Sequence, residues 1–184
     1  MSAKCVSELT TNALEFWSDD RRFGLRICSS DLSTLLTICS DSGSMEVGGI
    51  LVGSYTVKHD CAVTSGISGA PSDSRSGPTW FHRGVRGLQE WLDRCWHVLR
   101  HYYLGEWHYH PHGSPLPSQS DVFQLERIAD SAVYRCPEPL LLIVGGDPLV
   151  GWTIGTYVFP RGERRIRLSA LPASLDHMEQ PFAQ

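Results

Sequence analysis

Apolar and polar positions along the chain repeat with two different periods, and the switching between them predicts a mixed α/β domain. "RRFGLRIC" (21–28) reads as a strand, and "SSDLSTLLTICSDS" (29–42) as a helix with Ser30 or Asp31 as its N-cap. "GGILVGSYT" (48–56) and "DCAVTSGIS" (60–68) are two strands around a short polar turn at Val57–His59, the pattern of a hairpin. The run "GAPSDSRSGP" (69–78), dense in Gly, Pro, Ser and Asp, predicts a mobile loop. After "TWFHR" (79–83), the residues Val85, Leu88, Leu92, Cys95 and Leu99 recur at helical spacing inside 85–102. "YYLGEWHYH" (102–110) then predicts a strand and "SDVFQLERIADSAV" (120–133) a helix. "LLLIVGG" (140–146), "GWTIGTYVF" (151–159) and "RRIRLSAL" (164–171) predict three further strands.

No repeat and no linker divides this succession, so one domain over 1–184 is expected, with a core of about 22–167 and a loosely held tail of about 170–184. A chain of 184 residues buries roughly 70% of its unfolded surface as a single domain. Composition agrees, with 41% apolar and 20% charged residues and six Trp. A net charge of −4 gives no general affinity for nucleic acid or an anionic membrane. Four of the 14 Arg lie in "RGERRIR" (161–167), a solvated edge or a patch for an acidic partner. The N-terminal "MSAKCVSELTTN" lacks the apolar core of a signal peptide, and no apolar run approaches the ~20 residues of a membrane span. Six Cys without a C-x-x-C pair or a disulfide spacing predict a reducing, cytoplasmic setting.

The chemistry concentrates in "EWHYHPHGSPLPSQSD" (106–121). On a strand, residues two apart share a face, so His108 and His110 project side by side at its end. Asp121 follows at the start of a helix able to fold back over that strand. Two His and one Asp make a three-ligand set with a fourth position open, the arrangement of a catalytic zinc rather than a structural one. Two plainer readings stand beside it. A His-x-His pair also occurs as strand decoration, and Ser118-x-x-Asp121 is an ordinary helix cap.

The order His108-x-His110-Pro111, six residues, Ser118, two residues, Asp121 resembles the signature of the JAMM (JAB1/MPN/Mov34) metalloproteases. Glu46, ahead of the Gly-rich strand in "MEVGGILVG", stands where that family places its upstream glutamate. The resemblance spans roughly Arg22 to Arg167 and implies a single MPN/JAB domain, a mixed and mostly antiparallel sheet flanked by helices. "YLGEWHYHP", with the preceding "FHR" and amphipathic helix, further resembles small bacterial JAB peptidases encoded beside E1-like and E2-like enzymes in antiphage defence islands of the CBASS and Bil types.

By this resemblance the protein is a zinc isopeptidase that acts at the C-terminal tail of a ubiquitin-like protein, on its conjugates or its precursor. One Zn²⁺ is then held by His108, His110 and Asp121, Glu46 is general base and then general acid, and Ser118 donates to the oxyanion. E1-like and E2-like enzymes are the further partners implied, with no nucleic acid and no membrane. Trp80, Phe81 and Trp107, with the 69–78 loop, are candidate walls of a channel for an extended tail, with packing in the core the commoner use of any one of these aromatics. Tyr109 departs from the family's usual Ser or Thr, and alternation turns it away from the metal face. His112 is expected in an exposed turn, and His97 and His101 on one polar helix face. Three other readings share parts of the pattern: trimming of sulfur-carrier proteins, a non-catalytic MPN scaffold, and a RadC-like protein acting near DNA.

Overall fold

The computed structural model describes residues 13–171. Eight strands close into a barrel in the order β1-β10-β9-β8-β7-β3-β4-β2, with a separate two-stranded hairpin, β5-β6. In chain order these are β1 (Ala13–Trp17), β2 (Gly24–Cys28), α1 (Ser29–Ser42), β3 (Val47–Tyr55), β4 (Cys61–Ile67), β5 (Arg75–Gly77), β6 (Trp80–His82), α2 (Leu88–Leu99), β7 (Tyr102–Pro111), α3 (Gln119–Asp130), β8 (Leu140–Asp147), β9 (Gly151–Val158) and β10 (Ile166–Ala170). Among the described residues only β2·β4 and β7·β8 pair in parallel. The sheet is therefore mixed and mostly antiparallel, as expected, and its closure is what the succession of elements left out.

Closure depends on β1, a strand that the pattern reading passed over. "ALEFW" is made of residues that tolerate a helix, yet both its edges are claimed, by β2 and by β10. Leu14 and Phe16 then point inward while the residues between them are partly exposed. Leu14 and Phe16 thus add to the core ahead of the expected bound near residue 22. At the other end Leu171 still donates its N–H to the Glu15 carbonyl at 2.9 Å, so the beginning of the expected loose tail is tied down. The rest of that tail, and the N-terminal 1–12, lie outside the described residues.

Two apolar clusters divide the barrel wall between its faces. One draws on all eight strands and α1, with Leu25, Leu35, Trp107, Tyr109 and Leu142 fully buried. The other, with Ile50, Leu125, Leu141 and Ile143, lies under α3 and the half-buried Leu88, Trp91 and Leu92 around α2. Which face a β7 residue serves is set by an irregularity in its pairing with β3. Leu51 pairs with Gly105 and Val52 with Tyr103, which leaves Leu104 as an extra residue on β7. That bulge shifts the phase of the strand by one, so Trp107 and Tyr109 enter the barrel core while Glu106 and His108 face α3. Gly105 is needed there: its φ is +153°, and a Cβ would strike the Leu140 backbone.

The predicted mobile loop of 69–78 is instead organised. Arg75–Gly77 pairs with Trp80–His82. Asp73 accepts from the N–H groups of Val85 (3.1 Å) and Arg86 (3.0 Å), and Ser74 Oγ from Gly84 N–H (2.9 Å). α1 spans the predicted 29–42, but its N-cap is Cys28, without a side-chain bond, in place of Ser30 or Asp31, and β7 runs one residue further, through Pro111, paired with Gly146, before the turn.

Candidate metal centre

Strand β7 and helix α3 bring three potential ligands together. Donor atoms of His108, His110 and Asp121 all lie within 4.8 Å of one another. Asp121 reaches the strand because Ser118 caps α3. The Ser118 hydroxyl accepts from Asp121 N–H at 3.2 Å, while Asp121 Oδ2 accepts from Ser118 N–H and its hydroxyl, each at 2.8 Å. The cap and the ligand readings of this pair are therefore compatible: Oδ2 serves the cap, and Oδ1 faces His108 Nδ1 at 3.0 Å. His110 is steered differently, with Nδ1 on the Ser114 carbonyl at 3.0 Å, which leaves Nε2 for a ligand bond.

The charges are coupled. Burial lowers the basicity of His108, but the carboxylates of Asp121 and Glu106 outweigh it and hold its pKa at about 9. Burial raises the Asp121 carboxyl, and His108 with the cap bonds overrides it, to about 2. Glu46 sits just before β3, half-buried, with its N–H on the Gly77 carbonyl at 3.0 Å. Burial raises its pKa above the ordinary carboxylate value, and Asp121 adds to this while His110 and His108 oppose it. The base candidate thus senses all three potential ligands.

The donor set fits a small divalent ion. Two ligands of a tetrahedral zinc stand about 3.3 Å apart for bonds of ~2.0–2.1 Å. The observed spacings run from the 3.0 Å of His108–Asp121 to the 4.8 Å limit of the group. Each of the three side chains also has its other polar atom turned to a protein group, the outer support that metal ligands need.

The aromatic residues separate. Phe81 meets the His108 ring edge-on, with centroids 5.8 Å apart, and Trp80 beside it is 51% exposed. Trp107, a candidate channel wall by sequence, is fully buried in the barrel core, its indole N–H on the Ser68 carbonyl at 2.9 Å. One residue from His108 on a strand, it faces the opposite side and lines nothing a substrate reaches. Tyr109 does the same, with its hydroxyl on the Gly146 carbonyl at 3.2 Å. His112 turns out at φ +54° and pairs with Asp147 at 2.8 Å, and His101 bonds Ser65 at 2.6 Å.

Sequence reading missed Glu106, the buried carboxylate beside His108. Arg83 holds its Oε1 at 2.8 Å and Gln124 its Oε2 at 2.6 Å. The signal was a charged residue two places before a histidine in an otherwise apolar strand.

A closed mixed barrel with a His-His-Asp cluster at the mouth of one strand defines a recognisable class, and the chain belongs to the prokaryotic homologs of the JAB domain, whose family pattern it matches over residues 30–157. It is 39% identical over 168 residues to the CD-NTase/cGAS isopeptidase of Enterobacter hormaechei subsp. hoffmannii, which covers 91% of this chain and 93% of that protein. The solution structure of a Desulfitobacterium hafniense protein shares the fold, with a TM-score of 0.52 and 15% identity over 77% of this chain and 87% of that one.

Proposed function

We propose that this chain is a zinc-dependent isopeptidase of bacterial antiphage defence, which cuts after the C-terminal tail of a ubiquitin-like protein to free it from conjugates or mature its precursor. The observation that carries this reading is the convergence of His108, His110 and Asp121 within 4.8 Å, with Glu46 in electrostatic contact with all three. The name of the Enterobacter relative supports the reaction class, removal of a conjugate through an isopeptide bond.

A zinc ion held by these three side chains would supply Lewis acidity, polarising the scissile carbonyl and acidifying a water. Glu46 is placed to take a proton from an attacking water and to return it to the leaving amine. Its raised pKa suits the first half of the task, since a more basic carboxylate accepts a proton more readily. Asp121 stays ionised, and its cap bonds fix its direction. The Ser118 hydroxyl donates to Asp121 Oδ2, and turning its O–H about the Cβ–Oγ bond would aim that donor at the oxyanion instead.

Beside the centre, β5 and β6 form a two-stranded sheet that joins no other described strand, with Glu46 N–H on the Gly77 carbonyl of β5, so the outer edge of β6 can take an extended tail as an added strand. Trp80 and Phe81 on this hairpin are the apolar side of that path. E1-like and E2-like enzymes of the same operon would make the conjugates, and the bacterial cytoplasm is the compartment that fits. The five described cysteines are free thiols, and no described helix is long and apolar enough to cross a membrane.

The test is cleavage of a ubiquitin-like protein from the same operon, fused at its C-terminus to a reporter. Release at the end of the tail, abolished by chelator and restored by zinc, is the expected outcome. Release that ignores chelation would contradict the mechanism.

A further inference from the structure

We infer that Glu106 is a positioning residue of the metal centre: its carboxylate, clamped by Arg83 and Gln124, orients the His108 ring so that Nδ1 is presented beside Asp121. The inference rests on the metal-centre reading above.

Glu106 is 0% exposed, and a buried carboxylate persists only when its oxygens are satisfied. Every partner it has belongs to an element that also carries a part of the site. Arg83, at the end of the β6 hairpin, binds Oε1 at 2.8 Å, two residues after Phe81, whose ring packs on His108. Gln124 binds Oε2 at 2.6 Å from α3, one turn after Asp121. Tyr103, on β7 itself, adds a hydroxyl contact at 3.4 Å. The remaining direction of Oε2 points to His108 Nε2, 3.8 Å away. His108 therefore lies between two carboxylates, with Asp121 3.0 Å from Nδ1 and Glu106 3.8 Å from Nε2.

The asymmetry of those distances assigns the roles. Nδ1 is already as close to Asp121 Oδ1 as two ligands of one ion are. Nε2 carries the outer proton, and an approach of about 1 Å closes its 3.8 Å gap to the ~2.8 Å of a charge-assisted bond. A carboxylate on the far nitrogen of a ligating imidazole fixes its tautomer and rotation and makes it a better donor. Arg83 cancels the charge of Glu106, so the ring is steered without a third uncompensated anion beside Asp121 and Glu46.

Metal-free wild type, Glu106→Gln and Gln124→Ala are titrated with zinc against a chromophoric chelator, and the cobalt-substituted proteins are compared by visible absorption. Glu106→Gln keeps the shape and loses the charge. Its zinc affinity is expected to fall about 10–100-fold, with a changed cobalt spectrum. Gln124→Ala frees Oε2 from the solvent side of α3 and is expected to weaken zinc severalfold; it decides the matter alone if Glu106→Gln does not fold. A purely structural role would lower the unfolding midpoint and leave both metal readouts at wild-type values in the folded variants, which overturns the inference. Wild type that binds neither zinc nor cobalt overturns the metal-centre reading itself and this inference with it.

Discussion

Gly48→Ala perturbs the centre without replacing a proposed ligand, the proposed base or any charged residue. Gly48 lies on β3 opposite His108, two residues after Glu46. A methyl group added there meets the Trp107 carbonyl oxygen at 2.6 Å, His108 Cδ2 at 2.8 Å and Phe81 Cε1 at 2.9 Å. Carbon atoms pack at about 3.5–4.0 Å, so the two rings must withdraw by roughly 0.6–0.7 Å at least. The Trp107 carbonyl belongs to the β7 backbone and has less freedom to yield. Overpacking of this kind costs about 1–3 kcal/mol, and at about 2–4 °C per kcal/mol the unfolding midpoint should drop by about 4–8 °C for the middle of that range. Function should suffer more than folding, because the ring that moves is His108. A misplacement approaching 1 Å costs up to about 10²-fold in rate, so kcat/KM is expected to fall about 10–100-fold. The assay is differential scanning calorimetry of the zinc-loaded and metal-free forms, with zinc affinity and cleavage of the reporter fusion measured on the same preparations. Wild-type affinity and wild-type turnover in folded Gly48→Ala would refute the packing argument.

Other consequences are as direct. In metal-free protein His108 titrates at about 9 instead of its ordinary 6.5 and Asp121 at about 2 instead of 3.8, so their attraction is fully present between about pH 4 and 6.5. Its His108 share is lost as pH rises through 9, and its Asp121 share as pH falls through 2; urea midpoints at pH 6 and pH 9.5 check this, and greater stability at pH 9.5 contradicts it. Trp80→Ala, on an exposed hairpin, should raise KM several-fold with little change in melting, whereas Trp107→Ala should cost about 3–5 kcal/mol of stability by emptying the barrel core. Equal behaviour of the two tryptophans in calorimetry would refute that division. Ser118→Ala should lose about 1 kcal/mol with its cap and about 10²–10³-fold in kcat. A loss of stability alone would leave Ser118 as a cap and nothing more.

Local patterns were legible wherever one residue type has one physical use. The capping pair Ser118 and Asp121 starts α3 where the sequence indicated, and the β3–β4 hairpin turns at Val57–His59. Alternation on β7 correctly separated His108 from Tyr109. It was applied to the histidines and not carried through to Trp107, whose neighbour on the strand already fixed its direction. The closure of the barrel was hidden because β1 acquires its strand character from two partners distant in sequence, not from its own residues. Gly105 was the available sign of the bulge that rotates Glu106 and His108 to the α3 side, since a glycine inside an apolar strand marks an irregularity. The β5–β6 pairing escaped for the opposite reason. Its composition is that of a loop, and it is held by Asp73 and Ser74 binding backbone N–H groups across the turn rather than by apolar burial. The Glu106 network joins positions 83, 106 and 124, which no local pattern connects.

The most direct test of the account separates metal binding from proton transfer. Zinc content and reporter cleavage are measured on the same preparations of wild type and Glu46→Gln. Glu46 is not among the three converging ligands, so the variant should retain one zinc per chain while cleavage falls by about 10²–10⁴-fold, the share of a general acid–base. Wild-type cleavage by zinc-loaded Glu46→Gln would contradict the assignment of the base, and cleavage by wild type stripped of all metal would contradict the centre as a whole.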